Sequence, residues 1–353
     1  MNKSIDNHYS AYLKLTAALT FILIFLAYVL NSLVDPMWHY GGNKLAKKNY
    51  VDNERISKTN HYLNTFSQYD CIILGSSKST LLDSKLISSH RCFNFAFSAA
   101  TANELVDYVK YINAKGKPPK LAIVGIDGRN FWRDQTPSKS PDFILNLENP
   151  PPPWHDYLSL SALRFSLRTL LFEPPLPRYY GADFSPQIRA SAPYKPPSCV
   201  YESKPSSRRY SLDNTRHYAQ IKKLWPNTTL IGYVSPISAW NFSQLYLDKT
   251  LTSYTQVLYE TSKIFDDFYD FTIPSPITSD ASQSYDNEHY RLETNRKIAD
   301  VLMRKNATWG VHLLSIDYSK YEAEFAKKVQ AFMSAKNIEF SKDHNCLKAN
   351  AAR

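Results

Sequence analysis

Tyr69-Asp70-Cys71-Ile72-Ile73-Leu74-Gly75-Ser76-Ser77-Lys78-Ser79 is the stretch on which the fold turns. Its apolar part, Cys71 to Leu74, has the length and composition of a buried strand. Gly75 follows at once, and glycine permits the tight turn by which a strand leaves a sheet. Open α/β sheets bind their ligands beyond the carboxyl ends of the strands. A serine at this point therefore stands where chemistry is done, and Ser77, with Ser76 beside it, is the candidate nucleophile. A serine hydroxyl is a weak nucleophile until a base takes its proton.

Outward from this turn the same pattern recurs. Cys92-Phe93-Asn94-Phe95-Ala96-Phe97 is a second apolar run. Further strands are expected at 121–127, 229–236 and 268–272. Leu105, Val109 and Ile112 recur at helical spacing and predict a helix over 101–113, closed by Lys115-Gly116-Lys117-Pro118-Pro119. Other helices are expected over 81–88, 206–224, 241–265 and from about 287 to 304. Strand and helix in alternation are the mark of a parallel sheet. The alternation stops over 134–205, which is rich in Pro, Tyr and Ser. A helix is expected there over 157–172, with Arg164 and Arg168 on its polar side. An insertion of this kind is either a cap over the site or a surface excursion. The segment 316–353 is read as a helical tail whose Tyr321, Phe325, Val329 and Phe332 dock on the domain.

Residues 15–34 contain no charge and are long enough to span a hydrocarbon core of about 30 Å. Asp35-Pro36-Met37-Trp38 follows, unlike the small residues of a signal cleavage site, and Trp38 and Tyr40 suit an interfacial belt. The expected organisation is an N-terminal tail 1–14, a single transmembrane helix 15–34, a polar connector 35–68, a domain over 69–315 and the tail. Lysines flank the span on both sides, so the charges do not favour a cytoplasmic N-terminus. The net charge is +10, but the basic residues are scattered and form no nucleic-acid module, so no nucleic-acid partner is expected. A positive surface facing anionic lipid or glycan accounts for the balance equally well. Four cysteines without CxxC spacing predict no metal site. Cys71 and Cys92 read either as buried thiols or, if their strands are neighbours, as a bridge.

The missing base is found far along the chain. Tyr285-Asp286-Asn287-Glu288-His289-Tyr290 follows the fifth strand, and Asp and His three apart at the start of a helix can share one side of a turn. His289 then serves as base to Ser77 and Asp286 orients it. Ser235 ends the fourth strand and Asp127 the third, so both are candidates to line the same site.

Gly75-Ser76-Ser77 after the first strand, Asn94-Phe95-Ala96-Phe97-Ser98-Ala99 at the second and Asp286-x-x-His289 after the last together resemble the SGNH, or GDSL-like, hydrolase superfamily. Within it the chain is most similar to bacterial membrane-anchored members, relatives of alginate O-acetylation and teichoic acid D-alanyl-transfer proteins. The block that usually reads Gly-x-Asn-Asp stands here as Gly125-Ile126-Asp127-Gly128 and does not match. The resemblance implies a three-layer αβα, flavodoxin-like domain with a parallel five-stranded sheet. It implies two-step acyl transfer at Ser77, with the backbone N–H groups of Ser77 and Ala96 holding the oxyanion and with Ser76 and Asn94 beside them. It implies an extracytoplasmic (periplasmic) domain whose partners are the bilayer and a cell-envelope glycan or acyl-donor protein, and no metal or organic cofactor. A non-catalytic glycan-binding or scaffold protein of the same fold is the alternative.

Overall fold

The structure, a computed structural model, describes residues 3–50, 52–174, 176–181, 183–197, 199–201, 210–304 and 308–341. Along the chain, α1 (Lys3–Val34) and α2 (Glu54–Thr65) precede β1 (Cys71–Leu74), β2 (Cys92–Asn94), α3 (Ala102–Lys115) and β3 (Leu121–Ile126). The Pro-rich stretch carries α4 (Pro153–Tyr157) and α5 (Leu160–Leu171). After it come α6 (Thr215–Leu224), β4 (Thr229–Val234), α7 (Ala239–Leu247), α8 (Leu251–Ser262), β5 (Asp267–Asp270), α9 (Leu292–Arg304), β6 (Val311–His312) and α10 (Tyr318–Ala335). The chain divides into two compact units, residues 1–64 with 149–185 and residues 65–148 with 186–353.

The second unit is α/β and holds a sheet of order β6-β5-β4-β3-β1-β2. From β2 to β5 neighbouring strands are parallel, and β6 pairs antiparallel with β5. The sheet therefore has six strands and mixed direction, not the five parallel strands expected. The sixth escaped the reading because Val311 and His312 form a two-residue strand, half-buried, with no apolar run to announce it. Side chains alternate across a strand, and Ile73, Ile123, Ile231, Tyr233 and Tyr269 meet Ile298, Ala299, Val301 and Leu302 of α9. The interior runs of β1 and β3 are buried at every position, as strands covered on both faces require.

Register settles the cysteine question in favour of the bridge. Cys71 lies directly opposite Cys92, with Cα atoms 4.2 Å apart, and the two form a disulfide. Several helices differ from expectation. The stretch 81–88 contains 3-10 turns, Ser79–Leu81 and Ser84–Leu86, where a helix was expected. The expected helix 241–265 is broken into α7 and α8, with Lys249 at a positive φ of 54° between them. Residues 206–209 of the expected helix 206–224 lie outside the described residues. Helix α10 matches its expected register: Tyr321, Phe325, Val329 and Phe332 are buried. Its Phe325 ring meets Phe242 of α7 and Tyr254 of α8, at 5.0 and 6.2 Å.

The first unit begins with α1, which is longer than the 15–34 span expected. Its part Tyr9–Val34 is long and apolar enough to cross a membrane. The stretch 35–68 is built as structure and does not act as a plain connector. Asp35 takes a φ of 51° and its carboxylate accepts the N–H groups of Tyr40 and Gly42. Trp38 stacks on Phe184 at 3.8 Å. Helix α2 buries Glu54 against Arg178 and Tyr180. From the insertion, α4 and α5 pack at the end of α1, where Asn31 Nδ2 donates to the Tyr157 carbonyl at 2.8 Å. The part 149–185 thus belongs to this unit, and the polar and apolar sides of α5 are not arranged as expected: Ala162, Ser166 and Thr169 are buried, while Leu160, Leu167 and Leu171 are exposed.

Candidate active site

Gly75 ends β1 with a φ of 146°, a region that favours glycine, and a Cβ there would lie 2.3 Å from Ser79 Oγ and 3.1 Å from the Gly125 carbonyl. The turn after it is drawn tight. The Ser76 carbonyl accepts the N–H groups of Ser79 and Thr80, and Thr80 Oγ1 donates to the Ser77 carbonyl. Asn94 braces the turn from β2: its amide donates to the carbonyls of Ser79 and Leu82, each at 2.8 Å.

The two serines have different fates. Ser76 is buried, and its Oγ donates to Asp127 Oδ2 at 3.0 Å. Ser77 is half-buried, with its Oγ 2.8 Å from His289 Nε2. The other ring nitrogen, Nδ1, lies 2.8 Å from Asp286 Oδ2. A carboxylate only accepts, so Nδ1 carries the proton and Nε2 is left as the acceptor for the Ser77 hydroxyl. Three groups from residues 77, 286 and 289 are thereby in line for proton transfer.

Asp286 and His289 do not stand at the start of a helix, because α9 begins only at Leu292. They occupy a hairpin closed by a bridge between Ser284 and Tyr290. Asp286 Oδ1 accepts the N–H groups of Glu288 and His289 at 2.8 and 2.7 Å, so one carboxylate both folds the turn and holds the imidazole. Burial pushes its pKa up. The bond and charge of His289 and the two backbone N–H groups outweigh this, and the carboxyl is held below its ordinary value. The Tyr285 ring stacks on His289 with centroids 5.6 Å apart. The end of the insertion straps the same hairpin: the Tyr194 N–H donates to the Ser284 carbonyl and Arg291 to that of Ser191.

A chain of alternating charges joins the two loops, and sequence reasoning missed it. Lys78 Nζ, buried, lies 3.2 Å from Asp127 Oδ1 and 3.7 Å from Glu288 Oε2. Glu288 also pairs with Arg129. Lys78 adjoins Ser77 and Glu288 adjoins His289, so these pairs tie the nucleophile turn to the base hairpin. Burial raises the Asp127 pKa, but Lys78, Arg129 and the Arg129 N–H bring it below the ordinary value. A cleft of about 280 Å³ opens beside the tie, lined by Lys78, Arg129, Trp132, Tyr210, Asn241 and Glu288 among others. The sequence signal was the lysine itself, lodged in a turn between an apolar strand and buried serines.

The remaining candidates fall outside the reacting line. Asn94 is the brace just described. The Ala96 N–H, expected to face the oxyanion, donates to Asn94 Oδ1 at 3.0 Å. Ser235 is buried just past the end of β4 and does not line the cleft. Asp127 reaches the cleft wall while holding Ser76 and Lys78.

Comparison of the chain with protein-family models, with curated proteins and with solved structures returned no match.

Proposed function

We propose that the chain is a membrane-anchored serine esterase or O-acyltransferase of SGNH-like type, acting on acyl esters of cell-envelope glycan. The observation that carries this reading is the line Ser77–His289–Asp286, with both links at 2.8 Å. The topology supports it: the strands from β2 to β5 follow the sequential order 2-1-3-4-5 of flavodoxin-like sheets. The Cys71–Cys92 disulfide supports an extracytoplasmic domain, since such bonds persist in oxidising compartments.

In the proposed reaction His289 Nε2 takes the Ser77 proton as Oγ attacks the ester carbonyl. The tetrahedral adduct collapses and expels the alcohol, which leaves with the proton from His289. Water or a sugar hydroxyl, deprotonated by His289, then attacks the acyl-serine, and as the second adduct breaks the Oγ–acyl bond His289 returns that proton to Ser77 Oγ. Asp286 keeps the other proton on Nδ1 throughout, so Nε2 is the nitrogen that accepts and returns the reacting proton.

A second reading, a non-catalytic glycan-binding or scaffold protein, is favoured by one observation: the Ala96 N–H is engaged by Asn94. A serine-directed fluorophosphonate applied to the full-length protein in membranes separates the two. Covalent labelling that vanishes in Ser77→Ala supports the enzyme. Wild-type labelling no stronger than that of Ser77→Ala discards it.

A further inference from the structure

We propose that helix α5 lies in the membrane interface, with its leucine stripe in the acyl region of the same bilayer that α1 crosses. The proposal rests on α1 as the anchor and is independent of the chemistry at Ser77.

The helix is turned inside out by the standard of a soluble protein. At 3.6 residues per turn, Leu160, Leu163, Leu167 and Leu171 form one stripe, and Ala162, Ser166 and Thr169 form the opposite one. The small and polar stripe is the buried one, at 1% exposure or less. Leu160 is 83% exposed and Leu171 69%. The apolar surface extends beyond the helix ends to Phe172 and to Trp154 and Leu158 before it, all exposed. Contiguous exposed leucine on this scale marks an interaction surface.

What covers it follows from α1. From Tyr9 to Leu26 that helix is exposed on every side, and protein covers it only from Ala27 onward. At the helical rise, Tyr9–Leu26 measures about 27 Å, close to the hydrocarbon thickness of a bilayer; this sets the span earlier than the uncharged 15–34 and places Lys14 near its first end, where a lysine stem is long enough to carry its ammonium to the headgroups. Helices α4 and α5 meet α1 just past that length: the Tyr157 ring lies 6.4 Å from Tyr28, and Asn31 bonds the Tyr157 carbonyl. The leucine stripe thus continues the lipid-facing surface of α1 at the depth where the hydrocarbon gives way to headgroups. Tyr28 and Tyr40, hydrogen-bonded to each other there, and exposed Trp154 in α4 are residue types that favour this zone. Arg164, exposed, flanks the stripe where an arginine can reach lipid phosphate, as interfacial helices arrange their cations, while Arg168 turns to pair with Asp52.

The test uses the full-length chain with Cys199 and Cys346 replaced by serine and the Cys71–Cys92 bridge intact. A single cysteine carrying an environment-sensitive NBD dye is placed at Leu160, Leu167 or Leu171, at Leu23 of α1, or at Lys327 of α10. The proteins are reconstituted in phosphatidylethanolamine–phosphatidylglycerol vesicles with brominated acyl chains. Bromolipid is expected to quench the α5 labels to within about twofold of Leu23, with Lys327 unaffected. Labels on α5 that behave like Lys327 while Leu23 is quenched overturn the proposal. So do α5 labels shielded from aqueous iodide yet not quenched by bromolipid, since protein then covers the stripe. An unquenched Leu23 overturns both the proposal and the anchor beneath it.

Discussion

Asp286→Asn separates the two duties of one carboxylate. In the native hairpin Oδ1 accepts two backbone N–H groups and Oδ2 accepts from His289 Nδ1. Asparagine keeps the first duty with its carbonyl oxygen and meets Nδ1 with an amide NH₂. A donor facing Nδ1 favours the tautomer with its proton on Nε2, and that nitrogen no longer accepts from Ser77. The turn survives and the base does not. In the Ser-His-Asp template this exchange costs about 10⁴ in kcat, or about 5 kcal/mol of barrier. The Asp286 side chain is 43% exposed, so water competes for Nδ1 and weakens the preference for one tautomer. The expected loss is therefore roughly 10² to 10⁴.

The assay is fluorophosphonate acylation and p-nitrophenyl acetate hydrolysis by the full-length protein in detergent, with thermal unfolding in parallel. Asp286→Asn is expected to lose activity at nearly constant melting temperature. Asp286→Ala is expected to lose both, since the turn goes with the carboxylate. The native Asp286 carboxyl is held below its ordinary value, so it loses its charge only at a pH lower than a free aspartate does. Any acid limb of activity at higher pH belongs to another group. Asp286→Asn retaining more than about a tenth of the wild-type acylation rate would refute the orienting role and leave Asp286 a turn former.

Glu288→Gln cuts the tie between Lys78 and Arg129 but leaves Lys78 paired with Asp127. It is expected to slow acylation about 10-fold to 100-fold with little change in melting temperature, because the two loops lose their mutual register. Lys58 of α2 is buried beneath the Tyr180 ring at 4.9 Å, and burial pushes its pKa down to about 7. Between about pH 7 and 10 the unfolded chain binds the extra proton, so wild-type stability rises with pH across that window. Lys58→Met is expected to flatten that rise and to be the more stable protein below pH 7, by a few kcal/mol at most; thermal unfolding over that pH range measures it. The Cys71–Cys92 bridge closes a separation of 21 residues, so reduction is expected to cost about 3 kcal/mol, read as a lower denaturant midpoint without loss of the parallel sheet.

The sheet was legible because its strands are apolar runs bounded by Gly, Pro and charge, and burial on both faces leaves such runs unbroken. Strand β6 carries no such run. The break at Lys249 was illegible for a different reason: a lysine at positive φ has no sequence signature. The N-terminal unit misled most. Its core buries Glu54, Lys58 and Arg178 with aromatic rings, and a stretch rich in buried charge has the composition of a linker. Helix α5 misled in a related way: Arg164 and Arg168 mark a polar side, but the side that is buried carries Ala162, Ser166 and Thr169 rather than the leucines. At the site, Ser77, Asp286 and His289 were legible from local patterns, each complete within a few residues. The tie through Lys78 and Glu288 was not, since two charges 210 positions apart look solvated until the fold brings them to 3.7 Å.

The two sides of the candidate site are unequally provided. On the proton side Ser77 has a base, the base has an orienter, and a chain of charges holds both loops in place. On the oxyanion side the Ala96 N–H is committed to Asn94, and the amide of that same Asn94 holds the turn that presents Ser77. One side chain therefore makes the nucleophile available and withholds a donor from the charge the nucleophile creates. A single oxyanion donor is worth about 10² to 10³ in rate, so its absence matters most when the leaving group is poor. Such a site favours an acyl donor already activated for transfer, whose adduct needs less stabilisation, over a plain sugar ester. An activated ester such as p-nitrophenyl acetate should therefore acylate Ser77 faster than an acetylated sugar does, by a margin that widens as the leaving group worsens.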